Sequence, residues 1–174
     1  MSRSSTTASP RPARRAFLAA GAALGLAGCG FKLRQAPDFA FQTIAMPTTT
    51  AYLSQLKRSI EVTGKLKVMP MTEWEQADVV LDVLSETRDQ LVLSTNSAGQ
   101  VRELQLFLRI RFKLRTPQGK ELIAPSELTQ SRDITYNETA ALAKESETQL
   151  LYRDMTNDIV QQTIRRLAAV KSIT

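Results

Sequence analysis

From Glu103 to Arg115 the chain alternates without a break. Leu104, Leu106, Leu108, Ile110, Phe112 and Leu114 hold the even positions, while Glu103, Gln105, Phe107, Arg109, Arg111, Lys113 and Arg115 hold the odd ones. Side chains of a strand point to opposite faces in turn, whereas a helix with this pattern would spread its apolar residues around its whole surface. The segment therefore predicts a half-buried antiparallel strand of about a dozen residues, with one face on a core and the other polar.

The neighbouring segments extend this into a sheet. Asn96-Ser97-Ala98-Gly99 before it and Thr116-Pro117-Gln118-Gly119 after it are turn sequences. Val79 to Leu93 reads as the preceding strand, with apolar residues at the odd positions Val79, Leu81, Val83, Leu91 and Leu93. Glu121 to Tyr136 reads as the following strand, interrupted near Pro125. Phe39 to Met46 forms a first strand, stopped by Pro47, and Leu66 to Met69 a short extended segment before Pro70. Between them Tyr52, Leu53, Leu56 and Ile60 recur at helical spacing, with Thr48 to Thr50 as N-caps and Gly64 past the end, which predicts a helix over 51–63. Leu150, Leu151, Met155, Ile159, Val160, Ile164 and Leu167 trace the apolar stripe of a last helix, starting between Ala140 and Ser146 and ending near Val170. The order β-α-β-β-β-α predicts an α+β fold. It is a two-layer α/β sandwich, with a four-stranded, mainly antiparallel sheet and two helices on one face.

The N-terminus is not part of that domain. A basic stretch ending in Arg14-Arg15 precedes an apolar run from Ala16 to Leu26, and no acidic residue occurs before position 29. This is the layout of a signal peptide, and the run is shorter than the roughly 20 apolar residues that span a bilayer. It ends in Leu26-Ala27-Gly28-Cys29, the lipobox of bacterial lipoproteins, whose cysteine is acylated and becomes the mature N-terminus. Residues 1–28 are thus expected to be removed, leaving a single domain over 29–174 anchored by lipid on Cys29. Arg14-Arg15-Ala16-Phe17-Leu18 resembles a twin-arginine signal, but ordinary Sec signals also carry arginine pairs, so both export routes stay open. Removal takes four of the 23 basic residues and none of the 17 acidic ones, and the formal net charge falls from +6 to +2. The basicity is no argument for nucleic acid, and none is expected as a partner.

The residue inventory argues against catalysis. There is no histidine, and the one cysteine is the lipidation site, so nucleophile–base pairs and soft-metal sites are not available. No catalytic residue, metal ligand or cofactor other than the covalent lipid is expected. Glu73/Glu75 and Glu145/Glu147 are carboxylate pairs in turn-like and helix-start settings, where they read as solvated surface. What remains is the cationic face of the long strand. Side chains two apart stand roughly 7 Å from each other, so each like pair among Arg109, Arg111, Lys113 and Arg115 repels by about 0.6 kcal/mol in water. Two readings stay open: a solvated face neutralised by Glu86, Asp82 and Glu121, or a surface for phosphorylated lipid, matched by arginine forks.

Cys29-Gly30-Phe31-Lys32-Leu33-Arg34 resembles the start of mature LptE, the lipopolysaccharide-assembly lipoprotein family. Ala141-Leu142-Ala143-Lys144-Glu145-Ser146-Glu147 is similar to the segment that opens that family's last helix. The resemblance covers essentially all of 29–174. It implies a non-enzymatic role at the outer membrane, as a lipid-anchored plug inside the LptD β-barrel that assists barrel folding and contacts lipopolysaccharide. Lys144 then falls on the family's lipopolysaccharide-linked lysine. A second basic residue is implied at the turn between the second and third strands, Val79 to Leu93 and Glu103 to Arg115. Here that turn, Asn96 to Gln100, carries none, and Arg102 is the nearest substitute. The residues Arg109, Arg111, Lys113 and Arg115 join this expected lipopolysaccharide surface on physical grounds alone. Three alternatives stand beside this reading: an adaptor of another envelope complex facing the periplasm, a lipoprotein for a soluble ligand, and a carboxylate-dependent hydrolase.

Overall fold

The structure, a computed structural model, describes residues 37–136 and 141–173. Cys29, the leader and the motif at 29–34 lie outside the described residues. The elements are β1 (Thr43–Ala45), α1 (Ala51–Glu61), β2 (Lys67–Met69), a 3-10 turn (Met71–Gln76), β3 (Val79–Thr95), β4 (Val101–Arg115), β5 (Glu121–Thr135) and α2 (Ala141–Ala168). They form one sheet in the order β2-β1-β3-β4-β5. The two short strands run parallel to each other and β1 parallel to β3, while β3, β4 and β5 form an antiparallel meander. The α+β class and the two helices agree with expectation. The sheet has five strands rather than four, because Lys67–Met69 pairs with β1 and extends it.

The core lies between the even face of β4 and the helices. Leu106, Leu108, Ile110, Phe112 and Leu114 are all buried, together with Tyr52, Leu53, Leu56 and Ile60 of α1 and Met155, Ile159, Val160, Ile164 and Leu167 of α2. Each such side chain contributes on the order of 1.5–3 kcal/mol of burial. Thr50 caps α1, its Oγ1 accepting from the Leu53 amide at 3.3 Å. Gly64 takes the left-handed conformation (φ 65) just past the helix. One hydrogen bond ties the helices to each other inside this core. Thr163 Oγ1 lies 2.9 Å from the Ile159 carbonyl and 2.9 Å from Tyr52 Oη, both hydroxyls being buried. The threonine proton goes to the carbonyl, so Tyr52 donates to Thr163. Burial, with the charge of Glu86 adding to it and the hydrogen bond between Tyr52 and Thr163 opposing it, pushes the Tyr52 phenol up to about 12.

Two details of register depart from simple alternation. Between Val83, opposite Phe112, and Ser85, opposite Arg111, β3 carries one extra residue, Leu84. Beyond this bulge the parity of β3 is reversed: Glu86, Arg88 and Gln90 stand opposite Ile110, Leu108 and Leu106, on the helix side. Leu91, opposite Gln105, is on the outer face, and Leu93 falls in a second bulge; they are 53% and 45% exposed. The expectation that Leu91 and Leu93 share a buried face with Leu81 is therefore corrected, and the single extra residue at Leu84 is the reason. Pro125 is accommodated without ending β5, at a point where the strand slips by one residue between Ile123 and Ser126. Leu150, placed in the apolar stripe of α2 by its spacing, is 54% exposed, and Tyr152, Thr156 and Thr163 complete that stripe instead.

The outer face is largely open. Near β1 the 3-10 turn covers it, where Met71 and Trp74 pack on Ala45, Met69, Ala77 and Val80. Asp78 pins this corner: its carboxylate accepts from the amides of Gln42 and Thr43 at 2.8 and 2.9 Å, and its own amide donates to Thr43 Oγ1 at 2.8 Å. Burial pulls its pKa up, but the hydrogen bonds from Gln42 and Thr43 outweigh that and leave it below the usual 3.8.

Two outcomes follow. Tyr52→Phe removes a buried donor and is expected to lower stability by about 1 kcal/mol, read as a lower urea midpoint at unchanged slope. Because the folded pKa of Asp78 is depressed, its contribution is complete above about pH 4 and lost as the pH falls through the lowered value. Asp78→Asn should flatten the pH dependence of urea stability below about pH 4 and leave its shape near neutrality unchanged.

Candidate functional site

The odd face of β4 holds the cations singled out by the alternation, and most of them have carboxylate partners. Arg109 pairs with Asp89, which stands diagonally across on β3, and its guanidinium also lies 4.7 Å over the Phe107 ring. Lys113 and Arg115 share Asp82, at 3.8 and 2.8 Å, and Arg115 lies 5.2 Å over the Trp74 ring. Arg111 is exposed, with Ser85 opposite it on β3 and Glu127 opposite it on β5. Of the three neutralising residues expected from sequence, Asp82 acts as expected and Glu121 stands opposite Arg115. Glu86 is on the other side of the sheet, opposite Ile110, because of the Leu84 bulge. Asp89 moves to the outer face for the same reason. These ion pairs are partly exposed, and each contributes at most about 1 kcal/mol. Their main effect is to relieve repulsion along the strand.

A second basic group lies at the far end of the meander. The Asn96 side chain builds the turn, its Oδ1 accepting from the amides of Ala98 and Gln100 at 3.0 and 2.9 Å, with Gly99 at φ 79. Arg102 is the extra residue where β4 slips against the end of β3, between Val101 and Glu103. It lines a shallow hollow of about 450 Å³ with Ser94, Glu103, Thr135 and Tyr136. Lys144, in the first turn of α2, reaches toward the same place. Its Nζ lies 3.3 Å from Thr135 Oγ1 and 2.8 Å from Glu147 Oε2. Thr135 thus accepts from Lys144, the residue that the family resemblance marks, and lines the same hollow as Arg102, the nearest substitute for the missing basic turn residue. Glu147, one of the carboxylates read as solvated surface, holds Lys144, and Glu145 accepts from Gln149 at 2.9 Å.

A third basic group was not legible in the sequence. Arg58 of α1, Arg88 of β3 and Arg153 of α2 line one cleft between the helices and the sheet. The available signal was the adjacent pair Val83-Leu84, which breaks the alternation of β3 and marks a bulge.

These features can be set beside known proteins. A family model described as LptE, lipopolysaccharide-assembly, matches residues 40–167. The LPS-assembly lipoprotein LptE of Pectobacterium atrosepticum is 30% identical over 154 residues, covering 86% of this chain and 82% of that protein. That of Photorhabdus laumondii is 26% identical over 151 residues, with the same two coverages. The solution structure of an uncharacterized lipoprotein B from Nitrosomonas europaea superposes with a TM-score of 0.68 at 30% identity, covering 80% of this chain and 91% of that one. The rare lipoprotein B of Shewanella oneidensis, at 20% identity and a TM-score of 0.61 over 74% of this chain and 95% of that one, shares the fold. The family match runs from just before β1 to the last turn of α2, and on that extent the chain belongs to the LptE family of lipopolysaccharide-assembly lipoproteins.

Proposed function

We propose that residues 29–174, anchored by lipid on Cys29, plug the LptD β-barrel of the outer membrane from the periplasmic side. In this role the chain assists barrel assembly and binds lipopolysaccharide on its way to the outer leaflet. It is a binding and assembly role in which no bond is made or broken. The observation that carries the reading is the outer face of the meander. Its longest strand has 17 residues, about 55 Å of extended chain. Past the 3-10 turn that face bears ion pairs, exposed Arg111 and Leu91, and no covering layer among the described residues. A polar, charge-balanced surface of this kind suits the hydrophilic interior of an outer-membrane barrel. The lipid supplies about 0.8 kcal/mol per buried CH₂, so several acyl chains hold the anchor firmly.

Within this reading, Lys144 and Arg102 meet anionic groups of lipopolysaccharide at the far end of the sheet. Arg109, Arg111, Lys113 and Arg115 offer a further surface to lipid phosphate or to the barrel wall, with Arg111 the most accessible of the four.

A mild-detergent pull-down of the C-terminally tagged protein from its native membranes is expected to recover a stoichiometric, heat-modifiable β-barrel several times its mass. Recovery of a lone lipoprotein, or of an inner-membrane complex, would overturn the plug reading in favour of an adaptor. Lys144→Glu combined with Arg102→Glu should lower capture of lipopolysaccharide by about tenfold, while stability changes by no more than about 1 kcal/mol. Undiminished capture by the folded variant removes these two residues from the binding surface. Cys29→Ala should abolish palmitate labelling, and persistent labelling would refute the lipobox.

A further inference from the structure

The cleft that holds Arg58, Arg88 and Arg153 has a volume of about 300 Å³, and no aspartate or glutamate lines it. Among the described residues none of the three arginines has an ion pair, in contrast to Arg109, Lys113, Arg115, Arg132 and Lys144. Glu86, two positions before Arg88 on the same face, is not part of the lining, and its charge acts on Tyr52. Three arginines from three different elements thus border one concave site, none of them held by a carboxylate among the described residues.

Two of the three are held in place. The Arg88 guanidinium lies 5.1 Å over the ring of buried Tyr152, whose hydroxyl donates to the Asp89 carbonyl at 3.1 Å. Arg58 is tethered at 2.6 Å to Gln55, which also lines the cleft. Side chains fixed before binding lose less entropy on binding. Ala51, the first residue of α1, belongs to the same lining, so the positive end of that helix adds to the field.

We propose that this cleft binds a phosphoryl group carried as a phosphomonoester or as free phosphate. Three planar forks require an acceptor with at least three outward oxygens and more than one negative charge. A phosphomonoester dianion supplies both, whereas a carboxylate offers two oxygens and a single charge. Every lining residue except Ala51 carries a polar group, which fits a headgroup or sugar phosphate. The site is separate from the one marked by Lys144. Arg153 follows Lys144 by nine residues on α2, about 180° around the helix, and Lys144 turns instead toward β5. The proposal does not rest on the barrel-plug reading.

The test uses the full-length lipoprotein in a non-ionic detergent, titrated calorimetrically with inorganic phosphate, glucose 1-phosphate and acetate at fixed ionic strength. Arg88→Gln and Arg153→Gln are each expected to weaken phosphate binding at least tenfold, and Arg165→Gln, exposed on α2 and outside the cleft, to change it less than twofold. Acetate should bind at least tenfold more weakly than phosphate. Thermal melting checks that each variant folds, and Arg153, on the exposed side of its helix, serves if Arg88→Gln disturbs the packing on Tyr152. Tighter binding of glucose 1-phosphate than of phosphate identifies the natural ligand as an esterified headgroup, and equal binding assigns recognition to the phosphoryl group alone. Wild-type affinity in Arg153→Gln, an equal loss in Arg165→Gln, or acetate binding as strongly as phosphate would overturn the proposal. Failure of the lipopolysaccharide test at Lys144 and Arg102 would leave it standing.

Discussion

One extra residue in β3 decides where the charges of this domain go. With unbroken alternation, Asp89 would face the helices and Arg88 the open side of the sheet. The bulge at Leu84 exchanges them. Asp89 comes to the outer face, within reach of Arg109, and Arg88 passes under α2 to lie on Tyr152. Upstream of the bulge Leu81 joins the core, and Asp82 stays outside to serve both Lys113 and Arg115. A bulge bends its strand and re-aims the side chains beyond it. Here it supplies the counter-charges of one face and creates a cationic cleft on the other.

The same exchange has a cost. Glu86 is carried to the helix side, and its Oε2 is buried with no hydrogen-bond partner among the described residues. Its charge adds to burial in holding the Tyr52 proton, which Tyr52 in turn gives to Thr163. An unsatisfied buried oxygen costs on the order of 1–3 kcal/mol. Each exposed ion pair returns at most about 1 kcal/mol.

The meander was legible because its signals are local. Strict period-two alternation in β4, flanked by turn sequences, leaves a single solution, and β3, β4 and β5 follow from it. The apolar stripes of both helices likewise locate the core, apart from Leu150, which their spacing overcounts. The fifth strand was harder to read, since three residues, Lys67–Met69, carry no periodicity and become a strand only by pairing with β1. The distal half of β3 could not be placed correctly from parity, because a bulge is one residue long and reverses every assignment after it. The site divides in the same way. Lys144 was singled out through likeness to a family, Arg102 as the basic residue nearest to the family's turn position, and Arg109 to Arg115 through alternation. Arg58, Arg88 and Arg153 sit far apart in the chain, and only the tertiary fold brings them together.

The edges of the sheet offer little to a partner chain. An exposed edge strand is a template for pairing with another chain. At one edge β2 offers only three residues. At the other, β5 carries Pro125, which lacks an amide proton, beside a slip of one residue against β4. Farther along β5, Arg132 is drawn across to Asp158 of α2 at 2.6 Å, so this half of the strand is tied to the helix layer. Strand addition is thereby discouraged at both edges. On the plug reading proposed above, a partner would engage side chains of the open face. There Arg111 is the most exposed of the four cations from Arg109 to Arg115, and Leu91 lies six residues along β3 from Ser85, the cross-strand neighbour of Arg111.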